Sequence, residues 1–578
     1  MRVQISKSKN SESLYITKAL RKNGKSTSKV VERLGTIEEV IQKANGQDPY
    51  EWAKERAKYL TEQDKQQTLD ILVKYSPTTQ IDLHQEILFN GGYLFLQQLY
   101  YQLGLDKLCK SIQISGKTTF DLNAVLSQLV YSRILFPGSK QKAFHTMASY
   151  LETPSLELHH FYRGLELIAK ENDFIQAQLY KNSEKLVPRN TRVLYYDCTN
   201  FFFEIEQEDD FRKYGKSKEN RPNPIVQMGL FMDGNGIPLA FDLTSGNTNE
   251  QQTLKPLEKK ILKDFSESKM VVCTDAGLSS TANRKFNDRQ NRAFITTQSI
   301  KKLKGHLKTW ALAENGWMLA YSSHKKKYTL EEIDELDDMR LTFFKERWIN
   351  EDGLEQRLIV TYSLKYKHYQ ENIRNRQIER AKKLIQSGTK LPKKKNSHDV
   401  RRFIKQTFVT NDGEKAENEL LSLDSAVITK EAQYDGFYAV CTNLNDPCEE
   451  IINVNHQRWE IEETFRIMKS EFEARPVYLS REDRIRAHFT TCFIAMTIFR
   501  LLEKRLNSEN SYCELIQTLR CMNFYKVSDE GVAPAYIRTE LTDQLHEQAG
   551  FRLDYQIMTT KNLKKIFKQT KSGNITTF

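Results

Sequence analysis

The sequence predicts a multidomain α/β protein, with a mostly helical N-terminal module and an α/β domain that a long insertion interrupts. Its 578 residues are roughly four times a typical domain of ~150 residues, so several folded units are expected. Helical apolar patterns dominate up to Leu186, and strand patterns replace them from Thr191. Between 301 and 430 the sequence turns charged and irregular before a strand pattern resumes. So long a break within a compact domain indicates an insertion.

The first thirty-five residues are predicted to form a β-hairpin. LYITKAL and SKVVERLG flank a turn at Lys22-Asn23-Gly24-Lys25, and Asn-Gly between two such runs is a hairpin signal. Helical patterns such as LNAVLSQLVYSRILF then follow almost without a break. We therefore predict an N-terminal hairpin and helix over residues 1–75 and a helical module over residues 76–188.

Five strand patterns come next, in the order of an RNase H-like α/β domain. VLYYDCT, IVQMGLFMD and IPLAFDLT indicate a meander with a tight turn at Gly234-Asn235-Gly236. A helix, a strand at MVVCTDAG, a second helix and a strand at AFITTQSI follow. We predict an RNase H-like domain in two parts, residues 189–300 and 431–507, with the insertion at 301–430 and a C-terminal region at 508–578.

Composition fits a folded, basic protein without a membrane segment. Apolar residues make up 39% of the chain, which is enough for a sizeable core. The apolar stretch from Thr490 to Phe499 is about half of the ~20 residues that a membrane span needs, and the N-terminal residues lack the apolar core of a secretory signal. The eight cysteines include no CxxC pair, so we expect reduced thiols. We expect no membrane partner.

The formal net charge of +12 is concentrated in one segment. Residues 365–405 contain fourteen Lys and Arg residues against three acidic residues, which is nearly the whole excess. A solvated helix followed by a lysine loop is the alternative. We favour phosphate binding, because the rest of the chain is close to neutral. The candidate phosphate ligands are Arg374, Arg376 and Arg380, in a pattern that suits a helix.

Two aspartates are predicted to meet at one edge of the sheet. Asp197 is expected to end the first strand and Asp275 the fourth. These two strands lie side by side in an RNase H-like sheet, so both carboxylates would project at the same edge. Taken alone, each aspartate could equally be structural or a cap.

A third acidic residue lies on the helix HQRWEIEETFRIMKSEF. Its buried face is marked by apolar residues at i, i+4, i+7 and i+11, namely Ile461, Phe465, Met468 and Phe472. At about 100° per residue, Arg458, Glu462 and Lys469 form a second stripe beside that face. Glu460 and Glu463 are expected to point away from the core. Helix geometry therefore favours Glu462, although a glutamate flanked by Arg and Lys is usually a surface salt bridge.

Three converging carboxylates predict a metal site. Acids held together repel one another, and hard divalent cations with a preference for oxygen ligands, such as Mg²⁺ or Mn²⁺, relieve that repulsion. Two such ions roughly 4 Å apart would activate a water or a 3′-hydroxyl and stabilise the leaving oxygen in a phosphoryl displacement. All three acids, in this order and on these elements, favour that chemistry over a separate structural role for each.

VLYYDCTNFFFE, VVCTDAG and NHQRWEIEETFRIMKSEF resemble the three acidic motifs of DDE transposases, specifically the insertion sequence 4 group and its insertion sequence 1634 relatives. That group has a Y-x2-R-x3-E-x6-K signature around its third acid. Arg458, Glu462 and Lys469 match its last three positions, whereas Asn455 stands where the family has Tyr. The hairpin, the helical module, the split domain and the insertion also follow the family plan.

The resemblance implies cut-and-paste DNA transposition. Asp197, Asp275 and Glu462 would hold two Mg²⁺ ions, with Mn²⁺ as the alternative. Arg458 and Lys469 would bind phosphates next to the scissile bond. The residue at the Tyr position, Asn455, would donate a hydrogen bond to a DNA phosphate in place of the phenol. The implied partners are the inverted-repeat ends and the target DNA, bound partly by the helical module of a homodimer in a synaptic complex, at the nucleoid in the cytoplasm of a prokaryote.

Family members join the cut flanks through a hairpin at the transposon end. A flipped base then stacks on a tryptophan of the insertion, because unstacking a base costs a few kcal/mol that an aromatic surface offsets. Three of the five tryptophans, Trp310, Trp317 and Trp348, lie in the insertion here. A core position is the default for each, and the sequence does not choose among them.

Two other functions fit the same residues. One is a structure-specific nuclease on the same fold that cuts without strand transfer, but a plain nuclease needs neither the helical module nor the insertion. The other is a host-adopted protein that binds DNA and no longer cuts it. The presence of all three acids argues against that function.

Overall fold

The computed structural model is a mixed α/β protein with one large sheet and many helices, as the sequence predicts. It describes residues 1–8, 11–22, 25–67, 76–116, 118–264, 270–289, 291–322, 326–387, 399–409, 418–506, 510–527 and 531–574. These residues form two compact units, one made mainly of residues 1–85 and the other mainly of residues 86–526 and 532–574. The boundaries predicted at 188, 300, 430 and 507 all fall inside the larger unit.

The smaller unit is a three-stranded sheet with two helices. These elements are β1 (Arg2–Ser8), β2 (Ser11–Lys22), β3 (Lys25–Thr36), α1 (Ile37–Ala44) and α2 (Pro49–Gln67). The predicted hairpin is β2 with β3, and its Asn23-Gly24 turn lies outside the described residues. A third strand, β1, pairs with the other side of β2 and corrects the two-stranded prediction. Val3 and Ile5 give β1 only a short apolar alternation, and nearly all of its residues are exposed.

The predicted helical module begins the larger unit. Its elements are β4 (Leu88–Asn90), α3 (Tyr93–Gln102), α4 (Leu105–Gly116), α5 (Leu122–Leu135), α6 (Lys140–Thr146), α7 (Leu158–Lys170) and α8 (Asn172–Ser183), with a 3₁₀ turn at Met147–Ser149. Residues on every side of α5 are buried, because α3, α4, α6 and α7 all pack against it. A helix that is apolar all round is typical of the centre of a core.

All five predicted strands of the α/β domain are present. The elements are β5 (Val193–Phe202), β6 (Ile225–Asp233), β7 (Pro238–Ser245), α9 (Glu250–Asp264), β8 (Met270–Thr274), α10 (Thr281–Phe286) and β9 (Arg292–Thr297). Strands β5, β6 and β7 form an antiparallel meander. Strand β5 also pairs in parallel with β8, and β8 pairs in parallel with β9. The resulting spatial order is β7-β6-β5-β8-β9.

The described residues of the insertion form regular helices and strands, and four of the strands continue the same sheet. It contains α11 (Gly305–Ala311), β10 (Trp317–Leu319), β11 (Lys327–Tyr328), α12 (Leu330–Leu336), β12 (Phe343–Glu351), β13 (Leu354–Tyr362), α13 (Leu364–Gln386), β14 (Ile404–Val409), β15 (Asn418–Leu423) and α14 (Ser425–Ala432), and β16 (Phe437–Thr442) follows it. Two 3₁₀ turns, Ile300–Lys302 and Val400–Phe403, flank parts of this region.

Strand β16 pairs with both β9 and β13, which makes one ten-stranded sheet, β11-β10-β12-β13-β16-β9-β8-β5-β6-β7. The insertion, for which the sequence analysis assigned no strands, therefore supplies four strands of this sheet. Charged residues on the exposed parts of β12 interrupt its apolar pattern, which hides the strand from a sequence analysis.

The remaining elements complete the core of the larger unit. They are α15 (Cys448–His456), α16 (Trp459–Ser470), α17 (Glu482–Leu506), α18 (Tyr512–Cys521), β17 (Asn523–Val527), β18 (Gly531–Pro534), α19 (Glu540–Ala549), β19 (Met558–Thr559) and α20 (Thr560–Thr570). By length and composition α17 could cross a membrane, but 94% of its apolar window is buried inside the protein. It packs against α3, α5, α7 and β7, so the helical module and the sheet share one core.

A fully buried ion pair anchors the segment before β5 to the turn between β6 and β7. The Arg189 guanidinium pairs with Asp233, and the two side chains are 1% and 0% exposed. The Asp233 Oδ1 atom also accepts hydrogen bonds from the backbone N–H groups of Asn235 (3.0 Å) and Ile237 (2.9 Å). The Asp233 carboxylate therefore stabilises both the turn and the segment before β5.

We expect Asp233→Ala to lower the free energy of unfolding by about 3 to 5 kcal/mol, because it leaves a buried guanidinium without its partner. Urea denaturation followed by circular dichroism measures this loss. The matched control is Asp446→Ala. Asp446 pairs with the exposed Arg192 at 3.4 Å, so its loss should cost less than about 1 kcal/mol. Equal losses in the two variants would contradict the anchoring role.

Candidate active site

Two aspartates stand side by side on adjacent parallel strands. Tyr196 of β5 is in register with Thr274 of β8, so the residues that follow them, Asp197 and Asp275, are neighbours. Adjacent strands lie about 4.8 Å apart. Asp275 follows β8 directly, as predicted, but Asp197 lies in the middle of β5 and not at its end. The strand runs on to Phe202 because β6 continues to pair with it after β8 has ended.

Both aspartates belong to the face of the sheet that α16 covers. Successive side chains of a strand alternate between faces, so each aspartate shares a face with the residue two positions before it. Those residues, Tyr195 and Cys273, are buried in the same core as Ile461 of α16. The alternation of side chains along each strand therefore directs both carboxylates toward α16.

The Asp197 carboxyl is held in an environment that resists its ionisation. Its pKa is raised to about 6, mainly by burial and also by the nearby Asp275, while Lys218, the Cys198 N–H and Arg458 act in the opposite direction. The Cys198 N–H donates to Asp197 Oδ1 at 2.7 Å. Two acids that share a site in this way form a place where a cation is favoured.

Asp275 is fixed by the tight turn that follows β8. Its Oδ1 accepts a hydrogen bond from the Leu278 N–H at 3.0 Å. A Cβ atom at Gly277 would lie 3.3 Å from Asp275 Oδ2, which is closer than an ordinary contact. Glycine at this position therefore leaves room beside the carboxylate for a ligand.

The predicted buried face of α16 is confirmed. The side chains of Ile461, Phe465, Met468 and Phe472 are all 5% exposed or less. Glu462 lies beside this face with its side chain 56% exposed, and its Oε1 atom is 2.9 Å from an Arg458 terminal nitrogen. Burial would lower the pKa of Arg458, but Glu462, Tyr438 and Asp197 together raise it. Arg458 thus lies between Glu462 and the aspartates.

The two neighbouring glutamates have structural surroundings that the helix pattern did not predict. Glu463 is not directed to solvent, because its carboxylate pairs with Arg500 of α17 at 3.1 Å. Arg500 also donates to Thr464 Oγ1 at 2.9 Å. Glu460 is half-buried, and burial raises the pKa of its carboxyl. The prediction that both point away from the core is wrong because α17 covers this side of α16.

Lys469, on the last turn of α16, lies at the same site. Its Nζ atom is 3.3 Å from Glu219 Oε1 in the segment between β5 and β6. Burial and Lys218 lower the pKa of Lys469 to about 8, while Asp197 opposes that shift. Glu219 also pairs with Arg475. A carboxylate therefore pairs with Lys469, the cation that lies near Asp197.

Asn455 is not available to a DNA phosphate, which corrects its predicted role. Its side chain is 6% exposed and belongs to a closed set of hydrogen bonds. The Asn455 Nδ2 group donates to the Tyr438 hydroxyl at 3.1 Å, and Asn455 Oδ1 accepts from Thr297 Oγ1 at 3.4 Å. The Tyr438 and Thr297 hydroxyls are 2.6 Å apart. Asn455 thus fixes a phenol that comes from β16, close to Arg458.

The basic segment is partly a structural element. Arg374 on α13 is buried and pairs with Asp435, which corrects its predicted contact with phosphate. Arg376 and Arg380 lie on the same helix and are exposed. Lys390 and the lysines at 393–395 lie outside the described residues. Only part of the predicted phosphate-binding set therefore faces solvent.

The three tryptophans of the insertion differ in exposure. Trp317 is 0% exposed and packs in the core of the insertion. Trp310 is partly buried and has Lys345 and Arg347 over its ring. Trp348 on β12 is 44% exposed. The structure thus distinguishes by exposure three tryptophans that the sequence could not rank.

The donor set of the paired aspartates suits a hard divalent cation, because such ions bind carboxylate oxygens. Glu462 does not complete a three-carboxylate cluster here, since its carboxylate is held by Arg458. Among the described residues, ligand atoms of three potential metal ligands lie within 4.8 Å of one another only at Asp543, His546 and Asp554 in the C-terminal region. Both of those carboxylates are paired with arginines.

Sequence analysis missed Lys218, Glu219 and Tyr438. The first two lie in an irregular segment between β5 and β6, where no periodicity predicts a position, although KYGKSKENR is visible as a charged run. Tyr438 was seen only as part of the strand pattern FYAVCTNL. Its proximity to α16 depends on the pairing of β16 with β9 and could not be predicted locally.

Fold and site together define an α/β protein with a carboxylate pair flanked by arginine and lysine, as suits a metal-dependent reaction of phosphate esters. Residues 189–498, more than half of the chain, match the family of the transposase DDE domain. The chain belongs to this family of DNA-transposition proteins, whose members generally use divalent metal ions.

Two solved structures are similar over parts of the chain. One is the piggyBac transposase in a synaptic complex with hairpin DNA, at 9% identity over 74% of this chain and 79% of that chain, with a TM-score of 0.36. The other is the Mos1 transposase paired-end complex with the left transposon end, at 13% identity over 40% and 63%, with a TM-score of 0.13. Neither likeness is close enough to support an argument. No curated protein matches the sequence.

The raised pKa of Asp197 predicts that this residue destabilises the metal-free protein. Ionising the folded carboxyl is unfavourable above its usual pKa of 3.8, and the penalty is complete above about pH 6. Asp197→Asn escapes this penalty. We expect it to be more stable than the wild type by about 2 to 3 kcal/mol at pH 7.5, with the difference shrinking as the pH falls toward 4. Thermal unfolding in a chelator measures this, and an unchanged difference across this range would contradict it.

Proposed function

We propose that this protein is a DNA transposase that cleaves DNA at transposon ends and transfers the cut strand into target DNA. The observation that carries the proposal is the in-register pair of Asp197 and Asp275, with Arg458 and Glu462 beside it, in a chain of the DDE transposase family. We further propose that the domain is RNase H-like and of the insertion sequence 4 group. The order β7-β6-β5-β8-β9, with an antiparallel meander followed by parallel strands, supports that assignment.

Asp197, Asp275 and Glu462 are the proposed ligands of two Mg²⁺ ions. When bound, the ions would activate a water or a 3′-hydroxyl and stabilise the leaving oxygen of the phosphodiester. Glu462 has to leave Arg458 to take this role. A DNA phosphate supplies the reason for that exchange, because it offers the guanidinium two acceptor oxygens in the geometry that arginine prefers.

Arg458 and Lys469 are the proposed phosphate ligands at the scissile bond. Both are largely buried beside Asp197, so their charge acts in a medium that screens it weakly. Lys469 is paired with Glu219 without DNA. A DNA phosphate would therefore replace the Glu219 carboxylate as the anion beside Lys469.

The cut-and-paste route through hairpin ends remains part of the proposal. Trp348 is the proposed stacking residue, because among Trp310, Trp317 and Trp348 its ring is the one most exposed to a flipped base. One site per chain and two ends per reaction favour a homodimer in the synaptic complex. The cytoplasm of a prokaryote is the proposed location.

Replacing any of the three acids should abolish cleavage and spare DNA binding. We expect Asp197→Ala, Asp275→Ala and Glu462→Ala each to lower Mg²⁺-dependent cleavage of a transposon end by more than the ~100-fold that loss of a metal's outer-shell partner costs. The affinity for the same DNA should change little. Gel assays of cleavage and binding measure both. Cleavage by the wild type without any joined product would support a nuclease in place of a transposase.

Glu463→Ala is the matched control for Glu462→Ala. It removes one of the two carboxylates that pair with Arg500, Glu463 at 3.1 Å and Glu503 at 2.9 Å, so we expect a lower melting temperature and near-normal cleavage at a temperature where it is folded. Cleavage that survives in Glu462→Ala and is lost in folded Glu463→Ala would show that the third acid is misassigned.

The exposed arginines of α13 should contribute to DNA binding through charge. Changing Arg376 and Arg380 together to Gln should reduce the slope of log affinity against log salt by about 1.8, because each phosphate contact contributes roughly 0.9. Glutamine keeps helix propensity. Preference for the end sequence should be unchanged. The measurement is binding at several salt concentrations.

Arg374→Gln is the control on the same helix. It should leave the salt slope unchanged and lower thermal stability, because Asp435 loses its buried partner. A salt slope that responds to Arg374→Gln alone, and not to the change at Arg376 and Arg380, would contradict this division of roles.

A further inference from the structure

A cavity of about 90 Å³ lies where the helical module meets the segment between α16 and α17. Arg133 and Lys140 line it from the helical module, and Arg475 and His488 line it from the other side. The acidic residue at its wall is the exposed Glu473. A cavity of this size holds several water molecules, and so it also holds one phosphate group.

Two buried cations in this cavity have no carboxylate partner within the described part of the chain. Arg133 and Lys140 are each 5% exposed. Arg133 donates to the backbone oxygens of Phe472 (2.8 Å), Glu473 (3.2 Å) and Gly138 (3.0 Å), and its Nε has no partner among the described residues. Buried charges are normally paired with opposite charges, so this arrangement lacks an anion.

The contacts of Lys140 leave two of its ammonium protons for hydrogen bonds to such an anion. Its Nζ atom is 3.0 Å from His488 Nδ1, and His488 Nε2 is 3.1 Å from the Ala474 carbonyl oxygen. Nε2–H therefore donates to the carbonyl, Nδ1 accepts from the ammonium, and two ammonium protons remain. Burial, Lys140 and Arg133 hold the pKa of His488 well below its usual value, so the ring adds no charge. Burial and Arg133 lower the pKa of Lys140 to about 7.

The cavity adjoins the proposed active site. Arg475 at its wall pairs with Glu219, which in turn pairs with Lys469 on α16. Tyr478, which also lines the cavity, is 67% exposed. A DNA strand that leaves the active site past Lys469 would therefore meet this cavity next.

We propose that the cavity binds one phosphate of the transposon-end DNA, held by Lys140 and Arg133. The inference rests on the proposed function, since it assigns a second phosphate site to the same DNA. A phosphodiester supplies the missing negative charge, and its oxygens accept charge-assisted hydrogen bonds from the ammonium and the Arg133 Nε–H. Because Arg133 and Lys140 belong to the helical module, this contact links end binding to the catalytic strands.

The test compares wild type with Lys140→Gln on end DNA that carries one neutral methylphosphonate at successive positions. Wild type should lose about tenfold in affinity at one position near the scissile bond, the size expected for a charged hydrogen bond. Lys140→Gln should bind unmodified DNA about tenfold more weakly, and its further loss at that position should be smaller than that of wild type, because only the Arg133 contact remains. Its salt slope should be smaller by about 0.9.

Lys142→Gln is the matched control, because it removes an exposed lysine two residues away on the same helix. It should keep the wild-type response at every position. Lys140→Met is the second variant. It fills the same space without charge, so it tests the site if the Gln variant does not fold.

Two outcomes overturn the assignment. If the Lys140 variants keep the wild-type response at every position, the cavity holds no DNA phosphate, even when wild type cleaves the ends normally. If wild type shows no loss of affinity at any methylphosphonate position, the cavity also holds no DNA phosphate. If inorganic phosphate then raises the melting temperature of wild type but not of Lys140→Gln, the cavity holds free phosphate instead. A wild-type protein that neither binds nor cleaves ends overturns the proposed function as well, which separates the two failures.

Discussion

The site depends on the parallel pairing of β5 with β8. The register of Tyr196 with Thr274 makes Asp197 and Asp275 neighbours, and a slip of one residue would move one carboxylate to the opposite face. Burial on both faces fixes that register, because α9 covers one side of the two strands and α16 covers the other. The packing that buries both faces of these strands therefore also sets the geometry of the acids.

Around this pair the protein balances buried charges of both signs. Asp197 is opposed by Lys218 and Arg458, and Lys469 is opposed by Glu219. Such an arrangement keeps the cations in position without DNA. Their ion pairs with protein carboxylates would have to be exchanged for ion pairs with phosphates when DNA binds. The exchange of one anion for another is nearly neutral in charge, which makes it reversible. Such reversibility would suit the proposed transposase, which would bind DNA before the cut and release it afterwards.

Local periodicity predicted much of the fold and the core of the site. The five strands and the buried stripe of α16 were visible because runs of β-forming residues and helical spacing are properties of short segments. The partners of Arg374 and Asn455 were not, because Asp435 and Tyr438 come from distant parts of the chain. The position of Asp197 within its strand depends on pairing with β6, and β6 begins more than twenty residues later. Pairing across the sheet decides these features, and a single segment does not carry that information.

Strands β9 and β16, which precede and follow the insertion, are direct neighbours in the sheet. The two ends of the intervening segment are therefore about one strand spacing apart, whatever the segment contains. Closing a chain between two fixed, adjacent points becomes only slowly more costly as the chain grows. Relatives with much shorter or longer segments at this point can keep the same arrangement of acids. The junction is thus a position where the inserted segment can change in length without moving the acids.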